Sequence, residues 1–259
     1  MKIILIILNL LLASGAYCQN TVWLIGTAHE KNNYINADSL TNIFNKIKPD
    51  LLLLELEEKH FTKDFKYDTT KYPLKDYLTS NENIAAYNYQ QQTNVQLRPF
   101  DIKGRHEFYE KVDYRNKENK MFGEIFNLYK NNRLSGNTKV DFEILLASLN
   151  NYSNLRFTSL REANSDVATK FMALKSKVDF ELMVSIIEQN QELKKWLTFA
   201  KLRKNYWAER NNVMAENIVR YCNEFKNKKI IIMVGNDHKY ILLELLKQNN
   251  ILVKNYYDE

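Results

Sequence analysis

Between residues 21 and 56 the chain reads as strand, helix, strand, and that pattern limits the fold more than any other feature. Residues 21–26 (TVWLIG) form a short apolar run that stops at a glycine, as a buried strand does. Residues 38–48 follow, with Leu40, Ile43, Phe44 and Ile47 at offsets of three and four. Those offsets make one face of a helix, and Pro49 ends it. Asp50 then opens LLLLEL, a second apolar run. A βαβ unit of this length implies parallel strands. A third strand is expected at residues 95–100 (VQLRPF), where Pro99 suits a strand end or edge, with a helix before it over residues 77–92. The most apolar strand is KIIIMV at 229–234. Gly235, Asn236 and Asp237 turn it, His238 follows, a helix covers 240–248, and residues 251–254 read as a short last strand.

Residues 105–226 are helical in pattern. Phe122, Ile125, Phe126 and Tyr129 make one stripe, Phe142, Leu145, Leu146 and Leu149 a second, and Phe180, Met183, Val184 and Ile187 a third. Stripes at this spacing face a core by default. The expected fold is therefore α/β: a mainly parallel sheet core with a large helical insertion at about residues 105–225. The chain holds only 6 Gly and 3 Pro, and no Gly/Pro/Ser-rich boundary divides it, so residues 19–259 read as a single domain.

The first residues follow a different logic. Lys2 precedes an apolar run at 3–12, and small residues follow at Ala13, Ser14, Gly15 and Ala16. The run is too short for a stable membrane anchor, and the order is that of a secretory signal peptide. Ala16 and Cys18 fit cleavage before Gln19, so residues 1–18 are assigned to the signal. The protein is expected to be exported, either to a periplasm or out of the cell, with no transmembrane segment in the mature chain. Lipid anchoring at Cys18 is disfavoured by the bulky Tyr17 before it. The mature chain keeps one cysteine, Cys222, which cannot form an internal disulfide and reads as a buried thiol on a helix.

Removing residues 1–18 removes one Lys and no acid, so a formal charge of +6 becomes +5. The basic residues are scattered among acids, and no phosphate loop, zinc-finger spacing or basic aromatic helix appears, so nucleic acid is not an expected partner.

Polar residues gather at the strand ends. The first strand gives Gly26-Thr27-Ala28-His29, the second Glu55 and Glu57, the third Asp101, and the fourth Gly235-Asn236-Asp237-His238. Ligands of open parallel sheets bind at the carboxyl ends of the strands, so these separate positions are expected to meet in one cleft. Each glycine lets the chain turn off its strand, with φ free to be positive. Imidazole titrates near neutrality and serves as acid, base or metal ligand. A carboxylate inside an apolar run, as Glu55 is, costs free energy unless it is paired, and Glu57 is expected on the same face. His60 and His106 lie in charged stretches and receive no role. Arg210, on the apolar side of a helix that includes Val213, Met214 and Ile218, is placed to clamp an anion or an oxyanion.

This order of motifs resembles the TraB/GumN/Tiki superfamily, which is related to erythromycin esterases and ChaN-like proteins. The matching residues are Gly26 to His29, Glu55, Arg210 in ERNNVMAENI, and Gly235 to His238 in MVGNDHKYILLELL. They frame nearly the whole mature chain, while the region between Arg105 and Ala200 matches nothing in that pattern. Asn236 and Asp237 depart from it, since small residues are commoner there in relatives. The resemblance implies an α/β core with a helical insertion and a hydrolase-type site; members have been linked to metal-dependent proteolysis, ester hydrolysis and haem binding. The expectation is a hydrolase of a peptide or ester substrate, with catalytic residues His29, Glu55, Arg210 and His238. Gly26, Glu57, Asp101, Gly235 and Asp237 support them. In the metal-assisted form, His29, Glu55 and His238 hold a divalent ion (Mn, Co or Zn), and Arg210 stabilises the developing negative charge. The alternatives are a metal-free, esterase-like hydrolase and a non-catalytic protein binding haem or another ligand through the histidines.

Overall fold

A computed structural model describes residues 20–258 except 33 and 156. The segment assigned to a signal peptide, with Cys18, lies outside the described residues. Five strands form one sheet, all parallel: β1 (Thr21–Thr27), β2 (Leu51–Leu54), β3 (Gln96–Pro99), β4 (Lys229–Gly235) and β5 (Val253–Lys254). Their spatial order is β3-β2-β4-β1-β5. β1 and β2 are parallel, as the βαβ pattern requires, but they are not neighbours. The last long strand, β4, lies between them, and its apolar side chains are buried on both faces of the sheet.

One face is covered by α1 (Ala37–Ile47) and, beyond the short α2 (Leu74–Tyr77), by α3 (Asn81–Gln92). Leu40, Phe44, Ala85, Ala86 and Tyr89 pack there against Trp23, Ile25, Leu52, Leu54 and Ile231. In the register of a parallel sheet the alternate residues Val22, Leu24, Leu53, Ile230 and Ile232 point to the other face. There they meet Met214, Ile218, Leu242 and Leu246, which come from α10 (Leu197–Glu224) and α11 (Asn236–Gln248). The connections leaving β1 and β4 run to opposite edges of the sheet, so the crevice between these two strand ends is a topological switch point.

The helices between β3 and α10 are α4 (Arg105–Lys111), α5 (Tyr114–Lys130), α6 (Thr138–Asn154), α7 (Leu160–Ala163), α8 (Asp166–Lys177) and α9 (Met183–Gln189), with a π-helical turn at Val178–Leu182. Of these, α5, α6 and α9 build a second core from Met121, Ile125, Phe142, Leu145, Met183 and Ile187. Phe180, expected on a buried stripe, falls in the π turn and instead stacks on Trp207 at 5.1 Å. α10 belongs to both cores, through Phe199 and Ala200 at its start and Met214 and Ile218 further on. That helix ties the insertion to the sheet, and so does Asn164, which accepts from the Gly26 N–H (2.7 Å) and donates to the Gly26 carbonyl (2.8 Å) in β1. Cys222, on its last turns, is buried, and burial pushes its thiol up to about 11. Among the described residues no helix is long and apolar enough to cross a membrane.

Candidate active site

The centre of the site is Arg210, which is 5% exposed. Its Nε donates to Asp101 Oδ1 (2.8 Å), and its Nη2 donates to Asp101 Oδ2 (3.0 Å) and to Glu55 Oε1. Its Nη1 lies 2.7 Å from His238 Nε2. A guanidinium can only donate, so Nε2 of His238 accepts and the ring proton sits on Nδ1. The other side of the ring agrees. Asn211 donates its Nδ2 to the Trp207 carbonyl (2.7 Å), which turns its Oδ1 toward His238 Nδ1, also at 2.7 Å. The buried His238 is therefore neutral. Burial and the Arg210 charge push it down to about 4, against the pull of Glu55. Trp207 stacks on the ring at 4.2 Å.

Glu55 lies just past the end of β2 rather than within it. Its Oε2 accepts from the backbone N–H of Gly235 (2.7 Å). Burial works against its charge, but His238, protonated in the acid range where Glu55 titrates, together with Arg210 and the Gly235 N–H, brings it down to about 2. Arg105 completes the cluster, with Nη1 2.8 Å from Asp101 Oδ2 and 3.8 Å from Glu55 Oε1. Two guanidinium groups thus face two carboxylates around a neutral imidazole. Arg210 and Asp101 are closed off, whereas the Arg105 side chain is 26% exposed.

His29 is placed differently. It sits in the bend after β1 with its side chain 60% exposed, and its Nδ1 lies 3.2 Å from Oε1 of the buried Glu82. Glu82 stands in the first turn of α3, where the helix dipole favours a carboxylate. Its neighbour Asn81 holds the chain at 28–29 by donating Nδ2 to the Ala28 carbonyl and its backbone N–H to the His29 carbonyl, each at 3.0 Å. The Thr27 hydroxyl also donates to Glu82 Oε1. The hydrogen bond to Glu82 raises His29 above its ordinary value, against partial desolvation. Its Nε2 faces Glu55 across Gly235: a methyl group on that glycine would sit 3.5 Å from Nε2 and 3.4 Å from Glu55 Oε2. His29, Glu55, Glu82, Ser80 and Arg105 line a cleft of about 320 Å³.

Several expectations change. β4 runs straight into α11, so His238 lies on the first turn of that helix, not after a turn. Neither motif glycine uses a positive φ. Gly26 is needed for space, because a Cβ there would lie 2.4 Å from Asn236 Oδ1. Positive φ is used instead at Gly104 (78°), which caps α4. Glu57 serves that turn: it is 1% exposed and accepts from the Gly104 N–H at 2.7 Å, apart from Glu55. Asp237 turns outward to Lys175 (3.1 Å). Glu82, Arg105 and Asn211 carry much of the geometry and were not singled out from the sequence.

The metal set expected from the sequence does not fit. His238 Nε2 already accepts from a guanidinium, so a cation bound there would displace Arg210 or face it at contact distance. Among the described residues no three His, Cys, Asp or Glu side chains are grouped to hold a metal ion. The same occupied ring nitrogens leave His238 no free axial position for haem. Comparisons with family models, with curated proteins and with solved structures gave no match.

Proposed function

We propose that the chain is an exported hydrolase that cleaves a peptide or ester bond without a metal, with His29 as general base. The observation that carries this reading is the His29–Glu82 pair: an exposed imidazole whose Nδ1–H is held by a buried carboxylate, with Nε2 open to the cleft beside Glu55. In this mechanism a water between Nε2 and the substrate carbonyl gives its proton to Nε2 as its oxygen bonds to the carbonyl carbon. The exposed edge of Arg105 receives the oxyanion. Collapse breaks the bond to the leaving group, which departs with the proton from Nε2. Arg210, His238, Asn211 and Asp101 act through Glu55 and Arg105, fixing the wall against which the substrate lies. The resemblance of the Gly-x-x-His frame to hydrolases supports the reaction class, and the pattern of residues 1–18 supports export.

Two measurements test the mechanism. Dialysis against EDTA is expected to leave hydrolysis of an activated ester unchanged, and added Mn, Co or Zn is expected not to raise it. A chelator-sensitive rate restored by one of these ions would overturn the metal-free form. The second is the pH profile of Glu82→Gln. A general base works when neutral, so kcat/KM of the wild type rises as pH passes upward through the pKa of His29, which lies above 6.5. Removing the Glu82 charge lets that pKa fall. The acid limb should move to lower pH, while the plateau drops at least about tenfold. An acid limb left in place would show that His29 is not the titrating base.

A further inference from the structure

A second cleft, of about 470 Å³, lies beside the first and plays no part in the mechanism above. The two share their walls. Asp76 and Tyr77 line the second cleft, and Thr79 and Ser80 line the first; Arg105 lines the first, and His106 the second. Arg105 and His106 are consecutive in the first turn of α4, so the two clefts open beside the same helix start.

The lining is aromatic and acidic. His60, Tyr72 and Tyr77 form a cluster of rings, with His60 edge-on to Tyr77 at 5.8 Å and Tyr72 edge-on to it at 6.0 Å. Tyr72 is 48% exposed and lines the cleft. The one lysine, Lys59, is offset by two acids, Glu107 at 2.8 Å and Glu57 at 3.2 Å. Asp76 and Glu110 make no ion pair among the described residues, so the cleft keeps a surplus of negative charge. His60 Nδ1 is buried with no hydrogen-bond partner. Burial, the largest influence, holds the ring below its ordinary value and hence neutral near pH 7. Ring faces and unpaired carboxylates together suit an organic cation rich in N–H donors.

From this we infer that the second cleft is a subsite for the cationic side chain, guanidinium or ammonium, of the substrate cleaved in the first. The inference rests on the hydrolase reading only for the word substrate; the cation site stands on its own geometry.

The test uses the full chain carrying His29→Ala, which cannot turn over a ligand by the proposed route and leaves the second cleft intact. The probes are Nα-acetyl-arginine amide and its neutral isostere Nα-acetyl-citrulline amide, titrated calorimetrically. Arginine is expected to bind at least about tenfold more tightly, the scale of a desolvated cation–π contact with an adjacent carboxylate. That preference should vanish in Asp76→Asn/Glu110→Gln and shrink in Tyr72→Ala; all three positions are exposed, so these variants should fold. Equal affinities, or a preference that survives the double variant, would overturn the site. In a second arm, wild-type kcat/KM is compared for the p-nitrophenyl esters of the two acetylated residues. A matching preference supports the subsite, and equal rates beside an intact binding preference would overturn its link to the substrate. Hydrolysis of neither ester would count against the hydrolase reading alone and leave the titration to decide the cation site.

Discussion

Replacing His29 by alanine is expected to lower kcat/KM for an activated ester such as p-nitrophenyl acetate by about 10²–10⁴-fold, the range that a positioned general base supplies. The fold should survive, because the His29 side chain is 60% exposed and contributes nothing to the packed core. Glu82 keeps the Thr27 hydroxyl as a donor and remains at the N-terminus of α3. The cleft of about 320 Å³ leaves room for a free imidazole once the side chain is removed. Added imidazole is therefore expected to restore part of the lost rate in a saturable way, with Nδ1–H again facing Glu82. A purely structural histidine would not give that rescue. Steady-state rates with and without imidazole, alongside a thermal melt, decide the matter. Full activity in His29→Ala would sink the proposed mechanism.

How much of this could be read from the chain alone depends on how local each signal is. β1, β2 and β4 are continuous apolar runs, and the helix ended by Pro49 shows its face at once, so those elements were legible to within a residue or two. Pro99 ends β3 on the sheet edge, where a residue without an N–H costs least. The insertion of β4 between β1 and β2 was not legible, because nothing within a strand encodes which strand lies beside it. Glu55 and Arg210 stood out for the same reason: each is a charge within an apolar pattern, which demands a partner, and each proves to be the other's. Glu82 gave no such signal. An acid in the first turn of a helix, after the N-cap Ser80, is ordinary dipole chemistry, and only the chain reversal that brings 28–29 onto α3 gives it a histidine. Asp237 misled in the opposite sense. Its place inside the second Gly-x-x-His frame suggested a shared cleft, but on the first turn of α11 it points about 100° away from His238 and meets Lys175 instead.

The largest effect on stability is expected from Arg210→Met. Methionine fills most of the volume but removes the buried cation between Glu55 and Asp101, leaving them only the part-exposed Arg105, a loss of about 3–5 kcal/mol at pH 7. The pH dependence separates this cause from lost packing. In the wild type His238 is held down to about 4, from an ordinary 6.5, and Glu55 to about 2, from 4.5. Both folded values are depressed, so the unfolded chain binds more protons than the folded one between 6.5 and 4 through His238, and between 4.5 and 2 through Glu55. Wild-type stability is therefore complete above pH 6.5 and is lost as pH falls through these windows. In the variant the Arg210 charge no longer holds either group down. Glu55 keeps the Gly235 N–H and the more distant Arg105, so its folded value rises toward that of the unfolded chain, His238 takes up a proton more readily, and acid costs the variant less than the wild type. The gap between the two proteins should be widest near pH 7 and narrow steadily toward pH 4, as measured by urea unfolding across that range. A gap that stayed constant with pH would mean that the guanidinium acts through packing alone. A loss below about 1 kcal/mol, the scale of an exposed pair, would mean that water already reaches the cluster.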